Sequence, residues 1–304
     1  MKNEQPRRVE TISAFHQLAG LPKPEHPLLS LIQFEDITYA ADTPFVPMLN
    51  QFYSIALKKN FNGKLKYGQQ VYDFDAGMMV FMAPDQLLSI EADETLRHTG
   101  WLLLVHPDFL WHTSLVKTIR QYPFFSYAVH EALHLSNKEE GLMTDLMQRI
   151  GQEYHAPIDA FSQRVIVAQL ELLLTYSERF YQRQFITRHI SNHALLSRLE
   201  DLLTACFAGE ALARQGPPTV QAIADQLHVS PNYLSGLLKS LTGQSTQQHI
   251  QARLIEKAKE QLSTTELSVS EIAYALGFGH SQSFSKLFKT KTALSPGAFR
   301  NSFN

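Results

Sequence analysis

Two groups of residues in this chain have types and spacings that could do chemistry. The first is His130-Glu131-Ala132-Leu133-His134. An HExxH run holds zinc when both histidines lie one helical turn apart, with the glutamate beside a metal-bound water. Glu153, 19 residues beyond His134, has the type of a third ligand. The local sequence argues against this chemistry. Ser136 and Glu139 have the spacing of a capping box, in which each side chain satisfies the other's backbone N–H, so a helix starts after Ser136. HEALH then lies ahead of that helix. In an extended run its two imidazoles stand about 13 Å apart, too far to share an ion.

Other catalytic patterns are missing from the sequence. A metal-binding β-barrel enzyme needs a His-x-His pair with a following Glu, and none lies between 28 and 106, where His98 and His106 stand singly. There is no GxxxxGK phosphate loop and no GxSxG elbow. A single cysteine, Cys206, excludes an internal disulfide, a multi-cysteine zinc site and a reactive thiol cluster, and reads as a small packed residue on a helix. We expect no enzyme activity, no cofactor and no bound metal.

The second group is a set of short hydrogen-bonding side chains and lysines in an internal repeat. One copy runs from Ile223 to Ser245, the other from Ile272 to Ser295. Ile223-Ala224 and Leu227 match Ile272-Ala273 and Leu276, at an offset of 49. Leu234, Leu238, Lys239, Thr242 and Ser245 match Phe284, Phe288, Lys289, Thr292 and Ser295, at an offset of 50. The second copy therefore has a turn one residue longer. Each copy reads as helix, tight turn, helix. Ala224 and Ala273 are small where two helices cross closely. Gly277 suits a left-handed turn position, and His228 is a tolerated substitute. Ser230 is an N-cap, with Pro231 at the first helical position. Leu234, Leu237 and Leu238 form an inward stripe, as do Phe284, Leu287 and Phe288. Asn232, Ser235 and Lys239 remain outward in one copy, and Ser281, Gln282, Ser283 and Lys286 in the other. Such side chains can be ordinary solvated faces. They can equally contact base edges, with lysine reaching phosphate or guanine. Two copies joined by one helix over 246–262 can set two helices in successive major grooves, about 34 Å apart.

The elements that must position these groups follow from pattern. The 304 residues are 44% hydrophobic and 18% charged, enough for two cores. The start, MKNEQPRRVETISAFHQ, has no apolar run and is no signal peptide, and no stretch approaches a membrane span. A cytoplasmic protein is expected. Residues 1–27 are a Pro-punctuated, irregular lead-in. Residues 28–106 read as short strands separated by turn formers such as Asn62-Gly63, Ala76-Gly77 and Pro84-Asp85, a small barrel or sandwich. A short helix is expected over 107–121, a helix after Ser136, and a long amphipathic helix over 159–185. These two adjacent helices can pack on the β-region or pair with a second subunit. Another helix is expected around 192–208, and Gly216-Pro217-Pro218 closes the best linker, 208–218. The net charge of −2 is uneven: residues 217–304 carry 8 Lys+Arg and 5 Asp+Glu, a balance of +3, leaving 19 and 24 elsewhere. A mildly basic tail on an acidic body suits a nucleic-acid-binding end, though a mixed solvated surface would look similar.

The repeat resembles the AraC family of bacterial transcription regulators. Ile272-Ala273, Leu276-Gly277-Phe278, Phe284-Ser285-Lys286, Phe288-Lys289, Ser295-Pro296 and Phe299-Arg300 stand in that family's order and spacing, and so do Arg253-Leu254, Ala258-Lys259 and Leu262 in the joining helix. Ala293 departs from the usual glycine. The resemblance implies an α+β chain with an N-terminal cupin-like β-barrel, following helices, and a C-terminal all-α tandem helix-turn-helix domain. It places Asn232, Ser235, Ser281, Gln282, Ser283 and Lys286 at DNA contacts, with Gly236 at a contact position that lacks a side chain; Lys239 joins the DNA-binding candidates as an outward lysine of the first copy. The domains expected are 28–136 regulatory β-domain, 137–186 helical dimerisation segment, 187–218 linker helix and linker, and 219–304 DNA-binding domain. The implied partners are double-stranded promoter DNA, a small-molecule effector, a second copy of the chain and RNA polymerase, with no membrane. Tyr53, Tyr72, Phe81 and Trp101 are aromatic candidates for an effector pocket, or plain core residues. The alternative is a ligand-independent regulator whose front domain is only a dimerisation or protein-interaction platform.

Overall fold

The computed structural model describes residues 6–38, 48–59, 65–67, 70–72, 77–88, 99–128, 131–187, 189–207, 212 and 216–302. They fall into two compact units, Met1–Gln184 and Phe185–Asn304. Together they make the expected α+β chain, with sheets in the first unit and a helical array in the second.

The first unit is built on a five-stranded antiparallel sheet. Its strands are β2 (Leu29–Gln33), β4 (Tyr53–Lys59), β7 (Met78–Met82), β9 (Thr99–Val105) and β10 (Leu133–His134), in the order β10-β7-β4-β9-β2. A second sheet joins β1 (Arg7–Val9), β3 (Met48–Asn50) and β8 (Leu87–Leu88), and a third pairs β5 (Leu65–Tyr67) with β6 (Gln70–Tyr72). The described strands thus lie in three sheets.

The main sheet is buried on both faces, because period-two alternation puts apolar residues on each. On one face, Ala56, Val80, Met82, Leu102 and Leu104 pack with Ile12 and Phe15 of α1 (Ile12–Leu18) and with Phe52. Register places Ile55 opposite Phe81 and Leu103, and Tyr53 opposite Val105, so these share the other face. Helices cover that face. Gly151 of α3 (Asn137–Tyr154) meets Leu31 so closely that a Cβ at 151 would lie 2.9 Å from its Cδ2. Tyr181 of α4 (Ser162–Thr187) stacks on Phe124, with ring centroids 5.5 Å apart.

The helix expected over 107–121 is broken. A 3-10 turn over Pro107–Leu110, the short helix α2 (Leu115–Thr118) and a second turn over Ile119–Gln121 replace it. His112 adopts φ 64°, a left-handed conformation that cannot continue a right-handed helix. The capping box at Ser136 and Glu139 forms as the sequence predicts and opens α3. HEALH accordingly precedes the helix. His130 lies outside the described residues. His134 is in β10 opposite Met78, with its N–H donated to Gln184. The Glu131 carboxylate accepts from the Ala128 N–H at 2.7 Å. Among the described residues no three His, Cys, Asp or Glu side chains gather as metal ligands.

The second unit contains α5 (His189–Cys206), α6 (Val220–Leu227), α7 (Pro231–Thr242), α8 (Thr246–Thr264), α9 (Val269–Ala275), α10 (Ser281–Thr292) and α11 (Pro296–Asn301). They share one core. Leu199 and Leu203 of α5, Phe207 and Leu212 are buried in it with Ile223, Leu234, Leu238, Leu254, Ile272, Phe284 and Phe288. The stretch read as a linker helix is therefore part of this core.

Candidate nucleic-acid interface

Both copies of the repeat fold into helix-turn-helix units by the same local devices. In the first, the Thr219 hydroxyl accepts from Ala222 N–H and opens α6. His228 takes φ 57°, and Val229 N–H returns to the Ala224 carbonyl at 3.1 Å. In the second, Ser268 and Glu271 form a capping box on α9. The hydrogen bond from the Ser268 N–H holds the Glu271 carboxyl below its ordinary range. Gly277 takes φ 79°, and Phe278 N–H returns to the Ala273 carbonyl at 2.9 Å. The two closures, at offset 49, satisfy carbonyls that a helix end leaves open. Ala224 and Ala273 are fully buried at the crossings.

The second helices of the units are α7 and α10. Ser230 caps α7 by accepting from Tyr233 N–H, with Pro231 at its first position. Leu234, Leu237 and Leu238 face inward, and so do Phe284 and Phe288. Leu287 is only half-buried. α8 joins the units, opened by a capping box of Ser245 and Gln248. Arg300 steadies the far end of α8 by donating from Nε to the Leu262 carbonyl at 3.2 Å and from a terminal nitrogen to the Leu267 carbonyl.

The candidate contact residues occupy the outer faces of these helices. Asn232 and Lys239 are exposed on α7, and Gln282, Ser283 and Lys286 on α10, while Ser281 is half-buried. Ser235 is half-buried, and its hydroxyl already pairs with Thr246 Oγ1 at 3.1 Å. Asn232 and Lys239 lie seven positions apart, Gln282 and Lys286 four apart, so each pair shares a helix face. Lys289, named in the sequence only as a repeat and motif residue, is not among the expected contacts. It is exposed seven positions after Gln282 on the same face, and its spacing from Lys286 was the available signal.

α7 and α10 carry Lys239, Lys286, Lys289 and Lys291 and no acidic residue. Among the described residues no ion pair holds Lys239 or Lys286. Lys239, Lys289 and Lys291 lie in last turns, where a cation also offsets the helix dipole. A surface of amide, hydroxyl and ammonium groups without carboxylates is suited to a polyanion with readable edges.

The aromatic pocket candidates in the first unit sit elsewhere. Tyr53 and Phe81 are buried on the helix-covered face, in ring contact with Phe125 and Phe124 at 5.0 and 4.5 Å between centroids. Trp101 is half-buried opposite Leu57 on the same face. Tyr72 lies in β6 opposite Leu65, and its side chain is outside the description.

A family model described as a helix-turn-helix domain matches residues 223–302. The uncharacterized HTH-type transcriptional regulator YfiF of Bacillus subtilis is 24% identical over 254 residues, covering 83% of this chain and 77% of that protein. The HTH-type transcriptional activator RhaS of Salmonella schwarzengrund is 27% identical over 252 residues, covering 83% of this chain and 86% of that protein. Among solved structures, the C-terminal domain of AraT, a response regulator from Geobacillus stearothermophilus, is 31% identical, covering 36% of this chain and 84% of that one, with a TM-score of 0.32.

Proposed function

The chain belongs to the AraC family of helix-turn-helix transcription regulators, and from that premise we propose that α7 and α10 are the reader helices by which it recognises promoter DNA. The observation that carries this is the repeat itself. Equivalent helices present amide, hydroxyl and lysine side chains outward from equivalent turns, with no carboxylate on either. Gln282 and Ser281 are suited to base edges, and Lys239, Lys286 and Lys289 to phosphates or guanine. Ser235 keeps hydrogen-bonding capacity for DNA beside its bond to Thr246, because a hydroxyl has one donor and two acceptor sites. Because Gly236 has no side chain where Lys286 stands in the second copy, α10 carries more of the discrimination.

The test is binding of full-length protein to genomic fragments at near-physiological salt, where non-specific attraction is partly screened. Discrete enriched duplexes are expected. On such a duplex, Gln282→Ala and Lys286→Ala each weaken binding by roughly 5- to 100-fold without loss of fold. Unchanged binding of both variants at matched salt would remove α10 from the interface.

For the first unit, the packing of Tyr53 and Phe81 among rings favours a dimerisation platform over an effector pocket built on those residues. An effector remains part of the proposal only if a ligand raises or lowers affinity for the selected duplex. Contact with RNA polymerase belongs to the same reading, because one relative is named an activator.

A further inference from the structure

We propose that residues 216–219, with Gly216 hydrogen-bonded to the buried Leu212, are a positioning strap that registers the two helix-turn-helix units to each other. The proposal rests on α7 and α10 being the readers. The sequence marks Gly216-Pro217-Pro218 as the end of a linker, and a linker needs no fixed path. The structure fixes its described residues, Leu212 and those from Gly216 onward. Leu212 is 4% exposed, buried in the core of the second unit. Gly216 N–H donates to the Leu212 carbonyl at 2.9 Å.

Gly216 lies directly against the turn of the second unit. A Cβ placed on Gly277 would stand 2.4 Å from the Gly216 Cα and 2.8 Å from the Leu212 carbonyl oxygen. The strap's backbone thus fills the space that a side chain at the turn would take. Gly277 has two reasons to be glycine: its φ of 79°, and this backbone approach.

Two prolines follow Gly216, each with a ring-fixed φ, and Thr219 then caps α6 of the first unit. The chain therefore passes from the turn of one unit to the first helix of the other through a short, stiff piece. α8 is the covalent connection between them, and the packing of Gly216 on the Gly277 turn is a second, non-covalent one. With two connections, the spacing of the reader helices is fixed at both ends, which matched major grooves require. Gly216 is a positioning residue here and touches no DNA.

The test uses the full chain with Gly216→Val and, separately, the double variant Pro217→Gly/Pro218→Gly. Gly216 has φ 74°, which a β-branched residue does not accept, so valine forces the strap off its path. The proline variant loosens the strap without adding a side chain. Amide hydrogen exchange at Gly277 and Phe278 is expected to quicken by about tenfold or more in both variants, while amides inside α8 keep their protection. Unchanged exchange at the turn overturns the proposal whatever the DNA result.

On a duplex selected by wild-type protein from genomic fragments, Gly216→Val is expected to weaken binding by about tenfold. Combined with Gln282→Ala, the loss should fall short of the product of the single losses, because α10 is already misplaced. Combined with Asn232→Ala, it should equal the product. Full multiplicativity with Gln282→Ala would mean general destabilisation and sink the strap. If Gln282→Ala alone has no effect, the reader assignment fails, and the exchange measurement still decides the strap.

Discussion

Ala293 ends α10 at φ 63°, in the left-handed region that disfavours an L-residue by about 1–2 kcal/mol. Its counterpart in the first copy, Gly243, ends α7 at φ 75° without that strain. Replacing Ala293 by glycine relieves the strain and adds some chain entropy to the unfolded state. We expect Ala293→Gly to stabilise the second unit by about 0.5–1 kcal/mol, read as a higher urea midpoint with unchanged slope. Affinity for DNA should not change, since the position lies past the outward face. A lower midpoint would mean that the alanine methyl makes a contact worth more than the strain. The sequence alone marked this residue as the departure from a glycine. It marked Arg300 as part of a motif but not its role, since its two carbonyl contacts join segments more than 30 positions away in the chain.

Elements built from local signals were legible, and elements built from distant ones were not. The Ser230 cap was read from the sequence, and the helix starts at Thr219, Ser245 and Ser268 use the same device, each side chain accepting from the N–H three residues on. The break at His112 depends on a backbone conformation that no motif announces. The strands were legible as strands, but their faces were not. Tyr53 and Phe81 are core residues only because α4 and the turn over Pro123–Ser126 bring rings to that side of the sheet. α5 is the clearest case. It reads as a connector, yet it lends Leu199 and Leu203 to the core, and its Glu200 pairs with Arg253 of α8. A fragment beginning at 219 loses Leu199, Leu203, Phe207 and Leu212. At about 1.5–3 kcal/mol for each buried side chain, that is comparable to the whole stability of a small domain. Residues 185–304 are therefore expected to unfold cooperatively in urea, and residues 219–304 to lack a cooperative transition. A sharp transition in the shorter fragment would show that α5 is dispensable to the core.

At the scale of the molecule, the question is how many copies of the chain act together. α4 carries exposed apolar residues that its own unit does not cover: Phe161 just before its first turn is 61% exposed, Val165 38% and Leu172 46%. With Ala168 and Thr175, also exposed, they recur at alternating spacings of four and three, the seam of a two-helix coiled coil. Such a stripe on a monomer would leave apolar surface in water, and a second copy offers the same stripe in return, as a two-fold contact requires. In such a dimer two linked DNA-binding units would bind two half-sites with an avidity that neither has alone, by a factor of about 100 or more. Leu172→Glu puts a charge in the middle of the seam, on a residue that its own core does not need. Sedimentation equilibrium should show a dimer for the wild-type chain and a monomer for the variant, with melting nearly unchanged. Affinity for a selected two-site duplex should fall by at least tenfold, while affinity for a single half-site should stay the same. Residues 185–304 alone should match the variant on both duplexes. If the variant stays dimeric, the seam is not the contact. If it is monomeric but binds both duplexes as wild type does, dimerisation contributes nothing to DNA recognition.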